Sequence, residues 1–354
     1  MTARNPRTPD PAPGVERRHD VVVVGGGAAG LSGALTLARA RRSVLVVDAG
    51  HPRNAPASGV HNYLGREGTP PGDLLATGRA EVAGYGGELV TGTVVAAERR
   101  AAGDFRLVLG DGTAVSARRL LLATGLVDEL PDVPGLSERW GRDVLHCPYC
   151  HGWEVRDQAV GILGTGPLAA HQALMWRQWS DDVTLFLHTG PEPDDEAYEQ
   201  LAARDVSVVD GTMAGLVVAE DRLTAVRLAA GPEVACQALV VAPRFTARVG
   251  ALGGLGLEPV AQEVGGHVIG SRVEADAVGA TAVAGVWAAG NITSLTDQVL
   301  GAADAGRRAG AAINADLTAQ DTRRAVAARR DPFSPAMERA VCERVLGDSR
   351  HGLS

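Results

Sequence analysis

The first strongly patterned stretch runs from Asp20 to Gly50, DVVVVGGGAAGLSGALTLARARRSVLVVDAG. Its four consecutive valines, Val21–Val24, leave no polar face. Such an unbroken run predicts a strand buried on both sides, as in parallel sheets. The run stops at Gly25-x-Gly27-x-x-Gly30, and apolar residues then recur at helical spacing to about Arg41. A second apolar run, Val44–Val47, ends at Asp48. Residues 159–188, AVGILGTGPLAAHQALMWRQWSDDVTLFLH, repeat the order strand, glycine turn, helix, strand. Between the copies, Leu120-Leu121-Leu122-Ala123-Thr124-Gly125 reads as a buried strand stopping in a small-residue turn. Residues 285–317, GVWAAGNITSLTDQVLGAADAGRRAGAAINADL, predict a strand, a Gly290-Asn291 turn and a long Ala-rich helix from about Gln298. The pattern predicts an α/β protein with two Rossmann-like dinucleotide-binding units.

The first unit carries the chemistry of a dinucleotide site. Its glycines allow a tight turn, close backbone approach to a pyrophosphate and close helix packing. The helix N-terminus offers N–H groups and partial positive charge to phosphates. Asp48 ends the second strand, where an acid bonds a ribose hydroxyl. The second unit has Gly164-x-Gly166-x-x-Ala169 but continues, after Phe186-Leu187-His188, into TGPEPDDE. A 2′-phosphate needs cations, and Glu192, Asp194, Asp195 and Glu196 would repel it. NADPH is therefore not expected as a ligand. A fold retained with little nucleotide affinity, or an NADH site, stays open.

Length and charge narrow the classes further. A chain of 354 residues suggests two domains. A net charge of −8 speaks against nucleic-acid and anionic-membrane partners. No apolar run approaches the roughly 18–20 residues of a membrane span. The start, MTARNPRTPDPAPGVERR, lacks the apolar stretch of a secretory signal and reads as a disordered leader, so a cytoplasmic protein is expected.

Four cysteines are too few for a disulfide scaffold. Two of them, Cys147 and Cys150, stand in HCPYCHGWE, residues 146–154. Zinc normally takes four ligands, and Cys236 and Cys342 stand alone, so no metal is expected. A redox pair is the favoured reading. Oxidising a dithiol releases protons, and His151, next to Cys150, has an ordinary pKa suited to accepting one at neutral pH. A local packing role for His151 is the plainer alternative.

VVVVGGGAAG, LLLATG, CPYCHGWE and VWAAGNITSLTDQV follow in the order seen in low-molecular-weight thioredoxin reductases, and the chain resembles them over about residues 20–318. CPYCHG and RNAPASGVHNYLG (residues 53–65) look like the bacterial and fungal dithiol oxidases that close disulfides in natural products of the holomycin and gliotoxin type. The resemblance implies an FAD domain from residues 20–126 and 243–318 and an inserted NAD(P)-like domain, 127–242, carrying the Cys pair. Residues 1–19 are then a leader and 319–354 a C-terminal extension, in which RDPFSPAMERAVCERVLG predicts a loop and a short helix starting at Pro335.

Carried over by resemblance, the FAD pyrophosphate rests on Gly25, Gly27 and Gly30, and its ribose on Asp48. The adenine lies against Val94, Asn54 and Asn62 stand near the flavin, and Gly125, Asn291, Gln298 and Val299 complete the contacts. Cys150 is then the flavin-side sulfur and Cys147 the exchange sulfur. Two positions depart from the reductases, which have Gly-Asp where this chain has Gly290-Asn291, and an acid where it has His151. The implied activity is FAD-dependent oxidation of a small-molecule dithiol to its intramolecular disulfide, with O2 reduced to H2O2, in a homodimer. The alternative is an NADPH-dependent disulfide reductase.

Overall fold

A computed structural model describes residues 16–330 and 335–346. Most of the expected leader and the far end of the C-terminal extension lie outside the described residues. The main sheet contains β1 (Arg17–Val24), β2 (Val44–Asp48), β3 (Glu88–Thr91), β4 (Val94–Arg99), β5 (Phe105–Leu109) and β6 (Ala114–Leu122). Their order is β3-β2-β1-β6-β5-β4, and the late strand Val286–Ala288 pairs with Leu120–Leu122 of β6 on the edge opposite β1, beyond the end of the β5 ladder. β1 is parallel to β2 and β6, with Val22 opposite Leu45 and Leu120. All four valines of the opening run are buried, as an internal parallel strand requires.

β1 starts earlier than the apolar pattern indicated. Arg17, Arg18 and His19 pair with Val115, Ser116 and Ala117, because β6 is long enough to offer them partners. Hydropathy does not register such a charged strand end. Residues 17–19, which the sequence reading assigned to the leader, thus belong to β1.

The helix Ala28–Arg39 packs on the long helix Val299–Arg330. A Cβ at Gly306 would sit 1.9 Å from the Ala29 carbonyl oxygen, so only glycine permits this approach. The long helix runs well past residue 318, where the family resemblance ends. Arg118 and Arg42 both grip Asp321, and Arg118 also donates to Gln320 Oε1 at 2.7 Å. A shorter helix, Pro335–Leu346, follows as the sequence predicted.

The second glycine unit builds a separate five-stranded sheet. Val160–Leu163 runs parallel to Val183–Phe186 and Ala238–Val240. Where the chain passes between the sheets, Leu126–Glu129 pairs antiparallel with Arg244–Ala247. These two crossing strands set the cysteine segment beside the first glycine turn. Among the described residues, no helix is long and apolar enough to cross a membrane.

Candidate active site

A cavity of about 830 Å³ runs from the first glycine turn, past Asp48, Val94 and Gly125, to Cys147 and Cys150. The turn's three glycines divide the work. A Cβ at Gly25 would lie 2.3 Å from the Ala123 carbonyl oxygen, and one at Gly30 would lie 1.9 Å from that of Gly25. A Cβ at Gly27 would meet nothing within 4 Å. The outer two close the turn, while the middle one leaves backbone bare toward the cavity, where a pyrophosphate needs it. Gly25 N–H donates to Val47 O at 2.8 Å, and Gly26 N–H to Asp48 Oδ1 at 3.0 Å, which fixes the carboxylate at the cavity edge. The residues present fit a bound dinucleotide.

The second turn is built alike and finished differently. Gly164 N–H donates to Phe186 O at 2.7 Å, the counterpart of Gly25 to Val47, so Leu187 takes the place of Asp48. His188 turns into the left-handed region at φ 48°, and its Nδ1 accepts from Met213 N–H at 3.0 Å. Thr189 and Gly190 N–H then fold back onto Gly164 O at 3.1 and 2.8 Å. Gly190 packs so closely that a Cβ there would lie 3.3 Å from the Gly166 nitrogen. Asp194 caps the helix Asp195–Ala203, accepting from Ala197 N–H at 2.8 Å.

Cys147 precedes, and Cys150 lies within, a single helical turn, Pro148–His151, delivered by the strand Val144–Leu145. Cys150 and His151 N–H both donate to Cys147 O at 3.2 Å. The sulfurs are 2.6 Å apart and half-buried. A hydrogen bond from the Cys150 thiol, with further ones from Gln298 and the Cys150 and Tyr149 N–H groups, holds the Cys147 thiol down to about 6 against burial. Cys150 is pushed up by the Cys147 interaction and by burial. The reduced pair is thus a Cys147 thiolate hydrogen-bonded by a Cys150 thiol, and the thiolate is the form that attacks disulfides. His151 lines the same cavity, and burial lowers its pKa against the opposing pull of Glu154. It is therefore neutral at neutral pH and able to take a proton.

Asn291 and Asn62, both expected at the cofactor, are engaged with the protein itself. Asn291 lines the cavity, its Nδ2 donating to Ser294 O and Asp297 O, both at 2.9 Å, and its Oδ1 accepting from Arg53 Nη1 at 3.4 Å. A carboxylate could not donate to those carbonyls, which gives a reason for asparagine where the reductases carry aspartate. Asn62 was expected beside the flavin but lies outside the wall of the large cavity, where its neighbour His61 stands. Its Nδ2 donates to Tyr149 O at 3.2 Å and its N–H to Glu67 Oε2 at 2.9 Å, on a shallow neighbouring pocket.

Asn54, Val94, Gly125, Gln298 and Val299 all line the large cavity. Gln298 does more than expected: its Nε2 lies 3.3 Å from Cys150 Sγ and 3.7 Å from Cys147 Sγ. Sequence reading also missed Arg53, which grips Asp128 through two bonds of 2.7 and 2.6 Å and stacks 5.3 Å over Phe245. It missed His61 as well, whose ring nitrogens reach Glu67 at 2.6 Å and Glu154 at 3.4 Å. Both lie in the RNAPASGVHNYLG stretch, and nothing local marks their distant partners. Among the described residues, no group of three or more His, Cys, Asp or Glu is placed to hold a metal ion.

Comparison with known proteins agrees with this geometry. The profile of the pyridine nucleotide-disulphide oxidoreductase family matches residues 19–310. The thioredoxin reductase tcpT of Claviceps purpurea is 32% identical over 310 residues, covering 85% of this chain and 94% of its own. The crystal structure of HlmI shares 48% identity and superposes with a TM-score of 0.82, over 88% of this chain and 96% of its own. An oxidoreductase from Agrobacterium tumefaciens shares 35% identity with a TM-score of 0.78, over 85% of this chain and 99% of its own. With its glycine turn, its cavity and its paired sulfurs, the chain belongs to the pyridine nucleotide-disulphide oxidoreductase family, as an FAD-dependent thiol–disulfide oxidoreductase of the thioredoxin reductase-like kind.

Proposed function

We propose that this enzyme is a dithiol oxidase, closing an intramolecular disulfide in a small-molecule dithiol and passing the electrons to O2. The observation that carries this reading is the second glycine turn. Thr189 and Gly190 pack on it, and Leu187 stands where a ribose-binding acid would be, so a nicotinamide nucleotide has a poor seat. Electrons then enter from a thiol substrate. The CPYCHG resemblance points the same way.

FAD would hold its pyrophosphate at Gly25, Gly27 and Gly30, its ribose at Asp48 and its adenine near Val94. Bound there, it supplies the acceptor for electrons from the reduced sulfurs, with O2 as terminal acceptor and H2O2 as product. The protein's own part begins with Cys147 and Cys150 as a disulfide. A substrate thiolate attacks Cys147, breaking the protein S–S bond and forming a mixed disulfide. The second substrate thiol, losing its proton to His151, attacks the first sulfur and releases the Cys147 thiolate. The Cys147 thiol, held down to about 6, suits a sulfur that must leave as a thiolate.

The competing reading is an NADPH-driven disulfide reductase, favoured by the names of relatives such as tcpT. An anaerobic titration separates the two. A small dithiol should bleach the yellow protein and NADPH at micromolar concentration should not, and in air the dithiol should drive O2 consumption. Fast bleaching by NADPH coupled to thioredoxin reduction would overturn the oxidase.

A further inference from the structure

Gln298 stands immediately before the helix Val299–Arg330 and is brought 148 residues along the chain to face the sulfurs. Its position is braced from behind. Asn291 closes the loop through Ser294 O and Asp297 O, Arg53 holds Asn291, and Asp128 holds Arg53. Ala302 N–H donates to Gln298 O at 2.9 Å, fixing the backbone at the helix entry. The carboxamide therefore reaches both sulfurs from a rigid mount rather than from a loose side chain. A sulfur in a disulfide is a weak acceptor, whereas a thiolate accepts a charge-assisted bond.

We propose that Gln298 is a catalytic residue of the sulfur half-reaction, its Nε2–H donating to the charge that appears when the Cys147–Cys150 disulfide is reduced. This rests on the dithiol oxidase reading above. In that step two substrate S–H bonds break, one S–S bond forms in the substrate and the protein S–S bond breaks. The electron pair enters the protein sulfurs, one proton stays on Cys150 and the other leaves through His151. Gln298 favours the product side of this exchange and so makes the protein disulfide a stronger oxidant. The charged and titratable groups around the pair are His146 and His151 on its own segment, the Arg53–Asp128 ion pair and Asp297. Of these, Arg53 also favours charge on Cys150.

The test uses the holoenzyme and the Gln298→Leu and Gln298→Glu variants. In Gln298→Leu, the pH profile of iodoacetamide alkylation of reduced Cys147 should move up by about one unit, so that alkylation slows about tenfold at pH ~5, below both pKa values, and only about twofold at neutral pH. Equilibration with dithiothreitol should show the protein disulfide about tenfold harder to reduce, or about 30 mV lower for a two-electron couple. Gln298→Glu should move both readouts the same way and further, since its carboxylate would repel the thiolate. Both report on sulfur and stand even if a variant holds flavin less tightly. Wild-type alkylation profiles and potentials in both variants would overturn the proposal. That outcome is distinct from failure of the oxidase reading, in which the unsubstituted enzyme would not consume O2 with a dithiol.

Discussion

The two glycine-turn units share one local design and part at a single position. In the first, the residue after the turn's anchor is Asp48, which takes the Gly26 N–H and faces the cavity. In the second it is Leu187, and the chain beyond it, Thr189-Gly190, bonds back to Gly164. A glycine fingerprint thus builds a strand–turn–helix junction in both places, but only the first turn lines the large cavity. What the second unit brings to the cavity is the short helix with the two sulfurs, and the wall residues Gln172 and Met175.

The largest expected effect breaks this comparison at its centre. Gly27→Val should abolish FAD binding while leaving a folded protein, because its side chain would enter open cavity space. Gly166 also faces open space, so Gly166→Val should change neither flavin content nor dithiol turnover. Flavin absorbance per folded protein measures both, and loss of flavin in Gly166→Val would show that the second turn matters to the first.

Next in size, His151→Ala should keep flavin and both sulfurs but slow the chemical step by roughly 10²–10⁴-fold, the usual worth of general acid–base help. The sign with pH follows from its lowered pKa. The neutral base is present above that value and is lost as pH falls through it, so the acid limb of the wild-type rate should lie below 6.5. The loss in His151→Ala should shrink at higher pH, where substrate thiols ionise unaided. Stopped-flow reduction across pH checks this, and an unchanged neutral rate would remove His151 from the proton path.

A smaller effect converts the first unit toward the second. Asp48→Leu should weaken FAD by about 1–3 kcal/mol, the cost of losing bonds to an ionised group, measured by flavin release on dilution. Asn291→Asp should lower stability by about 1–2 kcal/mol, since two backbone carbonyls lose their donor and face a carboxylate. A thermal melt reads it out, and no change would mean that Asn291 is not what braces the loop.

The smallest effect lies in β1, the first unit's central strand. His19 is buried, with its Nε2 unpartnered among the described residues, and burial lowers its pKa. The folded protein therefore favours neutral His19, and stability should fall as pH drops below 6.5, where the unfolded chain gains a proton that the folded one resists. His19→Gln should flatten that part of the urea-midpoint curve against pH.

What the sequence revealed divides by range. The valine run, both glycine turns and the Cys147–Cys150 pair depend on neighbours within a few residues, so periodicity and spacing displayed them, though not the helical turn that holds the pair. At the second turn the sequence showed the carboxylates Glu192, Asp194, Asp195 and Glu196, which would repel a 2′-phosphate. It did not show the backbone bonds from Thr189 and Gly190 to Gly164 O, which no charge count registers. Asn291, Gln298 and Asn62 were placed at the cofactor by analogy. The protein partners of the last two, the sulfurs and Tyr149 O, depend on how distant segments meet. Arg53 and Asp128 are invisible for the same reason, being 75 residues apart.

The strand Val286–Ala288 fills the place beside β6, and Gly306 presses on Ala29 at the opposite end of the chain. During synthesis, then, the opening strands wait with the Leu120–Leu122 end of β6 bare on one flank until the ribosome has delivered residue 288. A bare, apolar strand edge invites pairing with a neighbour, and long-range closure is slow. Chains released before residue 285 are expected to clump rather than to fold into a smaller enzyme.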